Sequence, residues 1–141
     1  MDKTLLTIYE NLYSETAHHI SLKAIFERIK TGSRSMELVK KVREATDKES
    51  LKEAKNRLPC IVFAGVIPTG KRTDASINQF SNLAILDYDK LSPTEFADKK
   101  RYFVSQSYTV AAFLSPSGTG LKVVIRIKDG SKHRDYYKAI L

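Results

Sequence analysis

Apolar and polar positions follow two different periods along this chain. Before Pro59 the recurrence is mostly helical, and after it short apolar runs read as strands. Residues 4–9, Thr-Leu-Leu-Thr-Ile-Tyr, predict a short opening strand, and residues 11–19 a polar loop. Ser21 suits the N-cap of a helix over 22–30, whose Leu22, Ile25, Phe26 and Ile29 share one stripe. Thr31-Gly32-Ser33 ends it. Ser35 begins a second helix with Met36, Val39 and Val42 apolar. Asp47 begins a third over 48–57, with Leu51, Ala54 and Leu58 in period, and Pro59 stops it.

The second part predicts strands at 61–66 and 82–87, a helix over 93–105, strands at 108–114 and 121–127, and a helix from 133 to the chain end. Ser92-Pro93-Thr94-Glu95 carries the helix-start signals: a capping serine, proline at the first position and an acid in the first turn. Ser115-Pro116-Ser117-Gly118-Thr119-Gly120 is a turn. Strand, helix and strand at 82–114 form a β-α-β unit. If both strands share a sheet, the crossover makes them parallel, and their C-terminal ends reach one edge. The turn then reverses the chain, so strand 121–127 begins at that edge too. Its Leu121, Val123, Ile125 and Ile127 make a core face. Lys122, Val124, Arg126 and Lys128 make an outer, mostly cationic one. No repeat, low-complexity tract or linker divides the chain, which predicts one domain over 1–141: helices at 20–58 appended to a sheet core at 59–141.

Composition narrows the function classes. The 141 residues are 42% hydrophobic, enough for a core, and no apolar run is long enough to span a membrane. The start, Met1-Asp2-Lys3, has no basic region leading into an apolar one, so no signal peptide is expected. A single cysteine, Cys60, excludes an internal disulfide and a cysteine-rich zinc site. It fits a reducing compartment and an expected cytoplasmic location. Following Pro59 at the head of an apolar run, it reads as a buried thiol. The net charge of +8 favours polyanionic partners, and both halves of the chain are basic.

The chemistry concentrates at Leu86-Asp87-Tyr88-Asp89. On a strand, Asp87 and Asp89 point the same way, roughly 6–7 Å apart at Cα. Such a pair is either a polar strand end or two oxygen donors for a divalent ion such as Mg²⁺. The crossover would gather Asp87, Asp89, Ser117, Gly118, Gly120 and Lys122 at one edge, where glycine backbone and lysine suit the phosphates of a nucleoside triphosphate. The turn alone reads first as a hairpin connection that needs glycine for backbone reasons. Gly65 to Lys71 matches the first seven positions of the nucleotide-binding P-loop, yet Arg72 stands where its serine or threonine belongs and no helix pattern follows, so the P-loop is rejected. Lys71 and Arg72 remain cations that can meet phosphate. His18 and His19 point apart in any regular element and lack a third ligand nearby.

Leu-Asp-Tyr-Asp at 86–89 followed by Ser-Pro-Ser-Gly-Thr-Gly-Leu-Lys at 115–122 resembles the archaeo-eukaryotic primase and primase-polymerase superfamily. With Arg57-Leu58-Pro59, Phe63-Ala64-Gly65 and Arg72, the chain more closely resembles the VirE N-terminal-domain family, found beside primase and mobile-element helicase modules in bacteria such as Bacteroides. The likeness covers roughly residues 20–141. It implies an α+β fold: a mixed sheet with an RNA-recognition-like core, helices on one side and a groove for nucleic acid on the other. It implies Asp87 and Asp89 as catalytic carboxylates holding Mg²⁺ or Mn²⁺. Ser117, Gly118, Gly120, Lys122 and Arg72 would contact the nucleotide, and Arg126, Lys71 and Lys128 nucleic acid. Lys122 stands where the superfamily has histidine, and its third acid lies downstream of the last helix. The expected function is a metal-dependent primase-polymerase-like nucleotidyltransferase domain, the N-terminal part of a longer protein replicating a mobile element or phage. Its partners would be single-stranded or template-primer DNA, nucleoside triphosphates and a helicase module. The alternative is a catalytically incomplete nucleic-acid-binding module accompanying a helicase.

Overall fold

The computed structural model describes residues 4–32, 35–70 and 72–140. The chain divides into two compact units, Met1–Ser81 and Asn82–Leu141. The architecture is α+β, but among the described residues the strands form three small antiparallel sheets instead of one mixed sheet. No helix among the described residues is long and apolar enough to cross a membrane.

In the first unit, strand β1 (Leu5–Tyr9) lies between β2 (His18–Ser21) and β3 (Cys60–Val62). The polar segment expected as a loop therefore ends in a strand. His19 pairs with Thr7 and His18 with Ile8. The physical reason is backbone demand: β1 has N–H and C=O groups on both edges, and an edge strand can answer them while keeping polar side chains in water. Neither histidine has metal-ligating company among the described residues; His19 Nε2 lies 3.0 Å from the Ile67 carbonyl oxygen.

Three helices follow, α1 (Leu22–Thr31), α2 (Met36–Glu44) and α3 (Lys48–Asn56). Ser21 Oγ accepts from the Ala24 N–H, and Asp47 accepts from the Ser50 N–H, so both caps sit where their residue types predict. Only Val42 of α2 and Leu22 and Ile25 of α1 are fully buried; the lysines and arginines of these helices cover a largely solvated surface.

The apolar run at 61–66 is two strands, not one. β3 pairs with β1, while β4 (Gly65–Val66) pairs with β5 (Gln79–Phe80). At Gly65 the backbones come so close that a Cβ would overlap the Gln79 carbonyl oxygen. Thr7 stitches this region together: its hydroxyl, fully buried, donates to the Gly65 carbonyl (3.1 Å) and accepts from the Ile67 N–H (2.8 Å). Cys60 is half-buried, with Sγ 3.8 Å from the Leu58 carbonyl oxygen.

The second unit runs β6 (Leu83–Tyr88), α4 (Pro93–Val104), β7 (Thr109–Leu114), β8 (Leu121–Arg126) and α5 (His133–Ile140). The sheet order is β6-β8-β7, and β8 is antiparallel to both neighbours. β6 and β7 are therefore parallel, as the crossover predicts, but β8 lies between them. Ala84, Leu86, Phe103, Leu121, Val123, Ile125 and Ile127 form the core, with Tyr88, Phe96 and Tyr136 packed against it. α4 starts with a complete capping box: Ser92 Oγ takes the Glu95 N–H and the Glu95 carboxylate takes the Ser92 N–H. The opposite face of β8 departs from expectation at its middle, because Val124 is fully buried between Lys122 and Arg126.

Candidate nucleotide and metal site

The site is built on one end of the β6-β8-β7 sheet of the second unit. Antiparallel register sets Asp87 opposite Lys122, Tyr88 opposite Leu121, and Leu114 opposite Leu121. The end of β6, the start of β8 and the 115–120 connection therefore meet at one edge, because a six-residue hairpin loop cannot carry β8 away from the strand end it leaves.

Alternation turns Leu86 and Tyr88 into the core and Asp87 to the other face. Lys122 Nζ reaches Asp87 Oδ2 at 2.9 Å, with 26% of the lysine and 39% of the aspartate side chain exposed. Asp87 Oδ1 is buried and has no hydrogen-bond partner among the described residues. Asp89 lies one residue past the strand and is exposed. Tyr88, between them, is turned away, with the Lys99 ammonium 4.5 Å above its ring; burial, and then its neighbours Tyr102 and Tyr137, push its phenol pKa up, so it stays a neutral packing group.

The loop is organised by a residue that the sequence reading passed over. Ser115 is 4% exposed, and its Oγ accepts the Gly120 N–H (2.9 Å) and lies 3.0 Å from Ser117 Oγ. Its backbone N–H donates to the Gly120 carbonyl and its carbonyl takes the Gly118 N–H. A serine before proline at a strand end was the available signal. This pattern changes the roles expected of the glycines. The N–H groups of Gly118 and Gly120 are already used inside the loop, so the Ser117 and Thr119 hydroxyls (3.3 Å apart) and Lys122 are the polar side chains left to face a ligand. Gly120 is there for space: a Cβ would lie 2.8 Å from the Tyr88 carbonyl oxygen. The Leu91 N–H, donating to the Thr119 carbonyl at 2.8 Å, ties the loop to the chain just beyond Asp89.

The second unit thus brings together Asp87, Lys122, Ser117, Gly118 and Gly120, with Asp89 exposed just past the end of β6. Arg126 pairs with Leu83 at the opposite end of β8, about 13 Å along the strand from Lys122, and Lys128 lies past that end. Arg72 belongs to the first unit, where its guanidinium lies 5.7 Å from the centre of the Tyr9 ring and reaches the Leu12 carbonyl at 3.5 Å. Lys71 lies outside the described residues.

Two carboxylates are a partial donor set. Among the described residues no group of three or more His, Cys, Asp or Glu gathers to hold an ion. The unpartnered Asp87 Oδ1 and exposed Asp89 suit an ion that keeps water and phosphate oxygens as its other ligands, the habit of Mg²⁺. They do not suit a closed, all-protein centre.

A family model described as BT4734-like, N-terminal domain, matches residues 53–139. That span holds the whole candidate edge and every strand from β3 onward. No curated protein matches the chain, and no solved structure does.

Proposed function

The chain belongs to the BT4734-like N-terminal-domain family, and from that membership and the geometry at the end of β6 we propose a primase-polymerase-like domain that binds a nucleoside triphosphate together with Mg²⁺ or Mn²⁺, and single-stranded DNA, in replication of a mobile element or phage. The observation that carries the reading is the meeting of Asp87 with Lys122 and the Ser115-organised loop at one sheet edge, with exposed Asp89 two residues further along the chain. The element order β6-α4-β7-β8-α5 supports it, since it is the β-α-β-β-α portion of the split β-α-β arrangement to which RNA-recognition-like cores belong. Net charge of +8 adds general attraction for a polyanion.

In this reading Asp87 and Asp89 hold the metal, and Lys122 with the Ser117 and Thr119 hydroxyls orients the phosphates. The bound ion would neutralise phosphate charge and polarise the α-phosphorus toward attack. Arg126 and Lys128 of the second unit would contact the DNA backbone, and a helicase module would act on the same DNA.

A second reading has its own support. The Lys122 ammonium already occupies one Asp87 oxygen, and no third acid joins the pair among the described residues. That favours a catalytically incomplete module that holds single-stranded DNA beside a helicase. Titration with a fluorescent nucleotide and with labelled single-stranded DNA, with Mn²⁺ and then with EDTA, separates the two. The first reading expects nucleotide binding that disappears in EDTA and in the double variant Asp87→Asn, Asp89→Asn. DNA affinity that is indifferent to EDTA, with no nucleotide binding at any metal concentration, establishes the second and removes the first.

A further inference from the structure

Resting on the metal-nucleotide reading of this edge, we infer that Lys122 is a displaceable counter-ion, which holds Asp87 Oδ2 until a phosphate draws it away and thereby couples metal binding to nucleotide binding. Register alone puts the two groups in contact: residue 122 is the direct partner of residue 87 across an antiparallel pair. The ion pair is short, 2.9 Å, yet both side chains keep solvent access, 26% for Lys122 and 39% for Asp87. The pair is half-buried and still open to solvent, so its attraction is partly screened and a more highly charged anion can compete for the ammonium. Lysine suits the task, being a point charge on a flexible four-carbon stem.

The carboxylate cannot serve the ammonium and a divalent ion equally. With Lys122 on Oδ2, an arriving cation meets only Oδ1, which is buried and unpartnered, and it meets a positive charge beside it. The alternative anchor for Lys122 lies next door. Thr119 and Gly120 precede it by three and two residues, and the Ser117 and Thr119 hydroxyls flank the same loop. A triphosphate seated there offers several negative oxygens to the ammonium, which leaves Asp87 free on both oxygens. Each ligand then favours the other, and by linkage the effect is reciprocal. The arrangement also says why this edge tolerates lysine on a carboxylate proposed for metal: the lysine balances that carboxylate's charge when no divalent ion does.

The test measures Mn²⁺ binding to the full chain without nucleotide, by electron paramagnetic resonance of the free ion. Lys122→Gln, and Lys122→Met, which keeps the aliphatic stem, are expected to bind Mn²⁺ about tenfold more tightly than the wild type, a coupling of ordinary size. Lys122→Arg keeps the counter-ion and stays at the wild-type value. Adding Asp87→Asn to Lys122→Gln removes the gain. Amide exchange of β6 and β8 checks that each variant is folded, and Lys122→Met stands in if Lys122→Gln is not. Equal Mn²⁺ affinity in wild type, Lys122→Gln and Lys122→Met, with weaker binding in Asp89→Asn, overturns the counter-ion role and leaves the metal site standing. No Mn²⁺ binding by any of them removes the metal reading itself, and the counter-ion role with it.

Discussion

Gly120→Ala is the sharpest probe of the candidate edge, because it adds one carbon atom where three parts of the site touch. The new Cβ would lie 2.8 Å from the Tyr88 carbonyl oxygen, 2.9 Å from Ser115 Oγ and 3.2 Å from Ser115 Cβ. The hydroxyl can turn away, but the carbonyl is backbone at the end of β6, so the strand must give. Overpacking of this kind costs about 1–3 kcal/mol. Turning Ser115 Oγ away also breaks its bond to the Gly120 N–H, worth about 1 kcal/mol. The expected loss is therefore about 2–4 kcal/mol. Amide hydrogen exchange at β6 and β8 reads the stability of this sheet separately from the first unit. Ser115→Ala loses only the hydroxyl's bonds and is expected to cost about 1–2 kcal/mol. In the double variant the clash with Oγ is gone while the clash with the carbonyl remains, so the total falls short of the sum of the two singles. Because Tyr88 stands between Asp87 and Asp89, the shifted carbonyl also displaces the two carboxylates. A loss below about 0.5 kcal/mol for Gly120→Ala, the level of an ordinary surface change, would refute the claim that this glycine is required for space.

Two further predictions concern the first unit. Thr7→Val keeps the shape of a fully buried side chain but leaves the Gly65 carbonyl and the Ile67 N–H without their partner, at about 1–3 kcal/mol each. Thr7→Ser keeps the oxygen and loses only a methyl group, about 1 kcal/mol, so exchange protection at Ile67 should separate the two variants. The Asp47 carboxyl is held below its ordinary pKa, first by the Ser50 N–H and then by the Ser50 hydroxyl. A lowered folded-state pKa means that its support for the start of α3 is complete above the ordinary carboxylate pKa and is lost as pH falls through the lowered value. Ser50→Ala should raise the Asp47 midpoint in a carboxyl NMR titration part of the way, since the N–H remains; an unmoved midpoint contradicts the assignment.

Local chemistry made much of this protein legible in advance. Ser21, Asp47 and Ser92 cap their helices because each side chain satisfies a nearby N–H, a matter of three residues and no tertiary context. The alternation of Leu121, Val123, Ile125 and Ile127 named the core face of β8 for the same reason, since a strand's two faces are set by its own geometry. Even the meeting of Asp87 with Lys122 followed from a strand, a helix, a strand and a tight turn, whose lengths leave one edge for all of them.

What depended on partners distant in the chain was settled only by the tertiary structure. His18 and His19 become a strand because β1 has a free edge, which no property of two histidines announces. The run at 61–66 breaks because its halves pair with different strands, one with β1 and one with β5. Ser115 differs from Ser117 by burial alone, and that burial makes it the anchor of the loop and consumes the glycine N–H groups expected to face phosphate. The sequence by itself determined which residues carry charge, where the capped helices begin and which face of β8 is core. The tertiary structure decided which oxygen of Asp87 is committed to Lys122 and which is unpartnered, because that depends on register and packing between strands that the chain holds 35 residues apart.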